Sequence, residues 1–369
     1  MSNLRVGFLG AGFIAGIHAE AFQRVKGAEV SVVFSRTAAR AQEFGRRHGV
    51  PRWTDDWRTV VEGSDVDIVL VMLPNFRHAE ATEAAAAAGK HVIVEKPLCL
   101  TLDEADRMIA ACERAGVMLA YAEELCFAPK YERLRALAQD GALGRVYHLR
   151  QAEKHSGPHA DWFWDVRRSG GGVLMDMGCH AFGWFRWVLG PAFRPVEMLC
   201  RCDRHMHTER TEGEDHSVAV VTFEDGAGHR VTAQAEDSWA KLGGMDDRAE
   251  VYGTGGVAYA DLFQGSSALV YSEKGYDYAL EKAGGTQGWS FALAEEAHQQ
   301  GYPHEMQHFV DCLRTGQSPR VTGHDGRAVL EMLLGAYAAA GRAAAVRLPV
   351  QPPPAVALPV QLWQPQAGA

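Results

Sequence analysis

Three groups of residues have types and spacings that could do chemistry. Glu95-Lys96-Pro97 follows an apolar run at 91–94 that reads as a strand of an alternating strand and helix pattern. Proline has no NH and biases its predecessor toward extended backbone, so Lys96 is aimed past the carboxyl end of that strand, where open α/β sheets bind ligands. A fixed ammonium there would stabilise a developing alkoxide or polarise a carbonyl. The second group is Gly170-Gly171-Gly172-Val173-Leu174-Met175-Asp176-Met177-Gly178-Cys179-His180, a glycine turn entering a helix expected to continue to about Leu189. Asp176 and His180 are four apart and project from one helical face, and the glycines permit close backbone approach to a ligand. An imidazole titrates near working pH and suits removal of a hydroxyl proton, with Asp176 orienting it or sharing the substrate contact.

The third group is Gly10-Ala11-Gly12-Phe13-Ile14-Ala15, which follows a strand, opens a helix and fits the dinucleotide pattern G-x-G-x-x-G/A. Gly10 permits the tight turn, Gly12 lets a pyrophosphate reach the backbone, and Ala15 keeps helix and strand close; the helix start offers NH groups and positive dipole. NAD-specific sites usually carry an acid at the end of the second strand. Here Phe34-Ser35-Arg36-Thr37 stands there, and Glu29 lies at the wrong end. With no carboxylate to repel a 2'-phosphate, and with Ser35, Arg36 and Arg40 able to hold one, NADP is favoured and NAD remains possible.

The elements that must position these groups change character along the chain. Strands expected at 4–9, 29–34, 66–73, 91–94 and 117–121 alternate with helices at 14–25, 38–48, 76–88 and 102–115, the signature of βαβ units and a doubly wound parallel sheet. Beyond about 145, strand-like segments at 145–151, 217–223, 230–235, 249–252 and 268–271 predict a large, mostly antiparallel open sheet in an α+β domain. One face of it can pack on helices and the other on a second copy of the subunit. Helices at about 303–314 and 323–345 are expected to pack back toward the first domain. The division expected is a Rossmann domain over 1–123, a substrate-binding and oligomerisation domain over 124–347, and a Pro-rich tail over 348–369 that runs extended or disordered.

With 369 residues, 47% of them apolar, the chain can bury two cores, and a net charge of −9 with dispersed arginines excludes a polyanion-binding field. Nucleic acid is therefore not an expected partner, nor is a membrane, since no apolar run reaches the ~20 residues of a span. A strand at the very start of the sequence leaves no room for a signal peptide, and a cytoplasmic protein is expected. Seven cysteines without CxxC spacing favour free thiols. Cys200, Cys202, His205 and His207 suit strand packing better than zinc, and no metal is expected. Met175, Met177, Trp184 and Trp187 have core-like spacing.

Gly10-Ala11-Gly12, Leu73-Pro74-Asn75 with His78, Glu95-Lys96-Pro97, Leu143-Gly144 and the segment Gly170 to His180 together resemble the glucose-fructose oxidoreductase, inositol dehydrogenase and rhizopine-catabolism (Gfo/Idh/MocA) family, over about 3–345. The resemblance implies an NAD(P)-dependent oxidoreductase moving a hydride between the nicotinamide and a hydroxyl or carbonyl carbon of a sugar, cyclitol or sugar derivative. Lys96, Asp176 and His180 match its catalytic residues; Gly10, Gly12, Phe13, Ile14, Leu73, Pro74, Asn75, His78, Glu95 and Lys96 are candidates for holding the cofactor. The family is commonly dimeric or tetrameric through the open sheet. The segment after Gly144 departs from members of known substrate. Tyr121, Glu123, His155, His159, Trp164 and Asp165, with the catalytic three, are candidates for reading sugar hydroxyls, because polyols demand dense hydrogen bonding and an aromatic platform. Two rival functions are a cofactor-binding sensor without turnover and a glycosidase-type enzyme that recycles bound NAD.

Overall fold

Short apolar strands buried on both faces can be satisfied only between two helical layers. In the computed structural model, which describes residues 2–263, 268–272, 285, 288–292 and 296–364, the chain forms two units. The first comprises Met1–Phe127 and Gly301–Leu330. Its elements are β1 (Leu4–Leu9), α1 (Phe13–Phe22), β2 (Ala28–Phe34), α2 (Ala38–His48), β3 (Arg52–Thr54), α3 (Trp57–Val61), β4 (Ile68–Val71), α4 (His78–Ala87), β5 (His91–Glu95), α5 (Leu102–Ala115) and β6 (Leu119–Ala122). Among the described residues its sheet has the order β3-β2-β1-β4-β5-β6, all pairs parallel. This is the Rossmann order, and its direction reverses between β1 and β4, where a crevice opens beyond the strand ends.

Gly10 lies at that reversal with φ +135°, and a Cβ on it would stand 2.5 Å from the carbonyl oxygen of Met72 at the end of β4. Gly10→Ala should therefore force β1 and β4 apart, at on the order of 1–3 kcal/mol of backbone strain. We expect a lower melting temperature and at least about tenfold weaker NADH binding by fluorescence titration; unchanged affinity would remove Gly10 from the phosphate loop.

The second unit comprises Ala128–Gln300 and Glu331–Ala369. It holds α6 (Pro129–Gln139), β7 (Val146–Lys154), α7 (Val166–Ser169), α8 (Cys179–Leu189), β8 (Arg194–Asp203), β9 (His216–Glu224), β10 (Arg230–Ser238), β11 (Asp246–Gly253), β12 (Gly256–Asp261), the hairpin β13 (Ala268–Ser272) and β14 (Gly288–Ala292), and α9 (Glu296–Gln299). The chain then returns to the first unit as α10 (Tyr302–Thr315), which packs on α1, while α11 (Gly323–Arg342) starts in the first unit and ends in the second, before β15 (Val346–Arg347).

The large sheet runs β12-β11-β7-β10-β9-β8-β15, and among these pairs only β10 with β7 is parallel. Residues of β9 alternate between buried and half-buried, as one covered face requires. The register lines up Cys202, Ser217, Asp237, Glu153 and Asp247 in one row, all buried. Side chains on the other face include the exposed Leu199, Val257 and Tyr259.

Residues 348–358 carry no helix or strand, as expected of the Pro-rich segment, but the segment is not wholly extended. Val350 and Val360 are buried, and residues Pro359–Leu362 form a 3₁₀ turn whose Val360 NH donates to the Gly170 carbonyl at 3.0 Å. Apolar residues between the prolines give it something to bury, which a count of prolines overlooks. Pro365 lies outside the described residues. No helix among them is long and apolar enough to cross a membrane, and their seven cysteines are free thiols.

Candidate active site

In the first unit, α1 begins at Gly12, where a Cβ would meet nothing within 4 Å, so its first NH groups face open space. Such a helix start binds an anion through unpaired NH groups and the helix dipole. Phe13 is exposed and Ile14 half-buried beside it. At the end of β2, Ser35 is half-buried while Arg36 and Arg40 are exposed. Beyond β4, Leu73 and Pro74 are half-buried and Asn75 is buried. His78 is buried and acts as a clamp: its Nδ1 lies 2.9 Å from the Pro97 carbonyl and its Nε2 2.7 Å from that of Leu73. Burial pushes the imidazole below its ordinary pKa, against the pull of both carbonyls.

Glu95 ends β5 almost fully buried, its Oε2 accepting from the backbone NH of Lys96 at 3.1 Å and its Oε1 2.6 Å from His18 Nε2. Burial pushes this carboxyl up, but the His18 hydrogen bond and the charge of Lys96 outweigh it and leave Glu95 below the usual carboxylate range. Lys96 itself is half-buried. Tyr121 and Glu123, at the end of β6, are both fully buried in this unit.

In the second unit the triple glycine leads into a π-wound turn, Leu174–Gly178, that continues as α8. Such wider turns interrupt helices mostly where a side chain has a job to do. Asp176 is buried and its Oδ2 accepts from Trp239 Nε1 at 3.2 Å. His180 is buried as well, with Nε2 4.0 Å from Glu153 Oε2. Asp237, next to Glu153 in register, is fully buried and accepts from the Ser217 hydroxyl at 3.3 Å; burial pushes its carboxyl far up, toward the neutral acid.

Glu214 fastens the glycine turn from behind. Its Oε1 accepts from the NH groups of Gly172 at 3.1 Å and Leu174 at 2.9 Å, and from the Tyr337 hydroxyl at 2.8 Å. Its backbone carbonyl accepts from Val173 at 3.0 Å, and a Cβ on Gly172 would come within 1.8 Å of that oxygen. Only glycine fits there.

The remaining candidates lie near this turn in different settings. His155 is buried with its ring 5.6 Å from that of the exposed His159. Trp164 packs 5.3 Å from the Trp239 ring, and Arg210 lies 4.2 Å over its face. Asp165 caps α7 through the Arg167 NH and pairs with the Arg167 and Arg168 side chains, which hold its carboxyl low. Cys200 and Cys202 share one face of β8 with Sγ atoms 3.8 Å apart. His18, Glu153, Glu214, Asp237 and Trp239 were not singled out from the sequence. For Glu153 and Asp237 a signal existed: both continue inward-facing rows, Leu149-Gln151-Glu153 and Val231-Ala233-Ala235-Asp237, where a charged residue is out of place.

Comparison with known proteins agrees with this architecture. Residues 4–123 match the oxidoreductase family model with an NAD-binding Rossmann fold, and residues 131–259 match the GFO/IDH/MocA C-terminal domain. The 1,5-anhydro-D-fructose reductase of Ensifer adhaerens is 32% identical over 255 residues, 68% of this chain and 74% of that protein. The chain belongs to the Gfo/Idh/MocA family of oxidoreductases. The myo-inositol 2-dehydrogenase of Thermotoga maritima is 29% identical over 340 residues, 91% of this chain and 95% of that one. The crystal structure of GenD2 from gentamicin A biosynthesis in complex with NAD superposes with a TM-score of 0.87 at 32% identity, covering 95% of this chain and 97% of that one. The family assignment makes this an NAD-binding oxidoreductase.

Proposed function

We propose that this enzyme transfers a hydride between a nicotinamide and the carbon bearing a hydroxyl or carbonyl in a sugar, cyclitol or sugar derivative. One observation carries the reading: Asp176 on the buried, glycine-led turn and His180 on the first turn of α8 that continues it are both buried, with Asp176 held by the Trp239 indole. Relatives that are named for action on inositol and on anhydrofructose support the substrate class. In oxidation, neutral His180 takes the hydroxyl proton, Asp176 orients the substrate, and Lys96 stabilises the alkoxide from which the hydride departs to the nicotinamide C4. In reduction the same groups polarise the carbonyl and return the proton. Residues 1–123 would bind the cofactor and 124–347 the substrate, with His159, beside His155, among the candidates for reading its hydroxyls. The open sheet, with Leu199 and Tyr259 exposed on it, would join two or four copies in the cytoplasm.

The cofactor we favour is NADP, because exposed Arg36 and Arg40 follow β2 without a carboxylate beside them. Assaying inositols, aldoses and keto-sugars with NAD and NADP separately tests both the substrate class and this choice. Arg36→Ala should raise KM for NADP by about tenfold or more while leaving KM for NAD nearly unchanged. Equal effects on both would reassign Arg36 to the solvated surface, and reduced nicotinamide appearing with none of these substrates would reject the proposed reaction.

A further inference from the structure

The buried face of α1 is otherwise apolar, with Ala15, Ala19, Ala21 and Phe22, yet it carries His18 with no exposed surface. His18 lies six residues beyond the helix start that faces the cofactor's phosphates, about 9 Å along the axis. Its Nε2 is 2.6 Å from Glu95 Oε1, and its Nδ1 meets no hydrogen-bond partner. An Nε2–H donated to the carboxylate fits that pattern, with the dry Nδ1 left without a partner. The other oxygen of Glu95 accepts from the Lys96 NH at 3.1 Å. A single carboxylate thus joins the phosphate-facing helix to the backbone of the strand-end lysine.

We propose that His18 and Glu95 are positioning residues that couple occupancy of the phosphate loop to the aim and charge of Lys96. The inference rests on the reading of Lys96 as the residue that serves the substrate oxygen. The surroundings explain why the pair is a histidine with a carboxylate. Glu123 and Glu124, after β6, and Tyr302 and Glu305, on α10, face the same pocket of negative charge, where the Tyr302 hydroxyl donates to Glu124 at 3.0 Å. The Tyr302 ring stands edge-on to His18 at 5.4 Å. Burial first, then its three glutamate neighbours, pushes Glu305 far up, whereas Glu95 is held below the usual carboxylate range. Without the His18 donor, Glu95 would be a buried carboxylate among other acids; it would take a proton or turn away, releasing the Lys96 NH and the counter-charge that favours the ammonium.

The test needs a probe that fills the phosphate loop and does not shield Lys96 directly. ADP-ribose has the pyrophosphate and lacks the nicotinamide ring. Acetylation of Lys96 by acetic anhydride, followed by mass spectrometry across pH, reads the fraction of free amine in the full-length protein. In the unaltered enzyme ADP-ribose should change the Lys96 acetylation rate by about fivefold or more. His18→Phe should abolish that response, and His18→Gln, whose amide can still donate to Glu95, should restore part of it. Glu95→Gln keeps the shape and removes the charge, so half-acetylation of Lys96 should move to lower pH in a protein that still melts cooperatively. Turnover with an accepted sugar should fall in His18→Phe through kcat and not through KM for cofactor. A response to ADP-ribose that survives in His18→Phe, or one absent from the unaltered enzyme, overturns the coupling. The acetylation result stands whether or not any sugar is turned over, so failure of the proposed reaction is distinguishable from failure of the coupling.

Discussion

Replacing His180 by alanine should lower kcat by about 10²- to 10⁴-fold, while the affinity for NADH stays within about twofold. The split follows from where the imidazole sits. It projects from a helix of the second unit, among Glu153 and Asp237 of the sheet, whereas the anion-binding helix start belongs to the first. Asp176 cannot take its place, because its Oδ2 is committed to the Trp239 indole and a carboxylate lacks a base's pKa near working pH. Steady-state kinetics with titration of NADH fluorescence would check both halves. Lys96→Ala should give the same pattern in kcat, since fixed charge at a developing alkoxide is commonly worth 10²- to 10³-fold. An alanine variant of His180 with wild-type turnover would remove it from the chemistry.

The enzyme should also lose stability as the solution is made less acid between about pH 4.5 and 7, with Glu214 carrying one share of the decline beside the other carboxyls that burial pushes up, Asp237 and Glu305. Burial pushes the Glu214 carboxyl from its ordinary 4.5 up to about 7, against the hydrogen bonds from Tyr337, Leu174 and Gly172. In that interval the unfolded chain has released the proton and the folded protein has kept it. Its contribution is whole below the unfolded value, falls as pH rises through the interval, and is gone above the folded value. A shift of this size corresponds to about 3 kcal/mol. Tyr337 on α11 and Cys202 on β8 face it; burial pushes Tyr337 far up, and the hydrogen bond with Cys200, then burial, does the same to Cys202, so neither ionises in the interval. Denaturant unfolding at several pH values should show the decline in the unaltered protein and a flatter profile in Glu214→Gln. An equal slope in both would assign it elsewhere.

How much of this was legible depends on the distance over which each signal acts. The alternation of apolar strands and helices, the glycine turn after β1, and the lysine after β5 are local patterns, and the parallel sheet with Lys96 at a strand end follows from them. The same holds for the triple glycine, although its need for Gly172 comes from Glu214, a residue far along the chain. The support around these groups is made by pairs with no local trace. His18 meets Glu95 across 77 positions and Tyr337 meets Glu214 across 123. Nor does any pattern of alternation say that β10 lies parallel to β7, and that pairing is what sets Asp237 beside Glu153. A helix pattern likewise does not announce the π-wound turn under Asp176.

The 3₁₀ turn near the end of the described chain braces the glycine turn that carries the proposed catalytic groups. Val360 ties down the carbonyl of Gly170, and Gln364 reaches the Glu212 carbonyl at 2.6 Å, so both strands of backbone that frame the glycine hinge are splinted from outside. On the proposed reading, trimming by a protease or a bulky fusion placed there should disturb the helix that carries Asp176 and His180 as much as an appendage, and lower the rate while sparing every ionisable side chain.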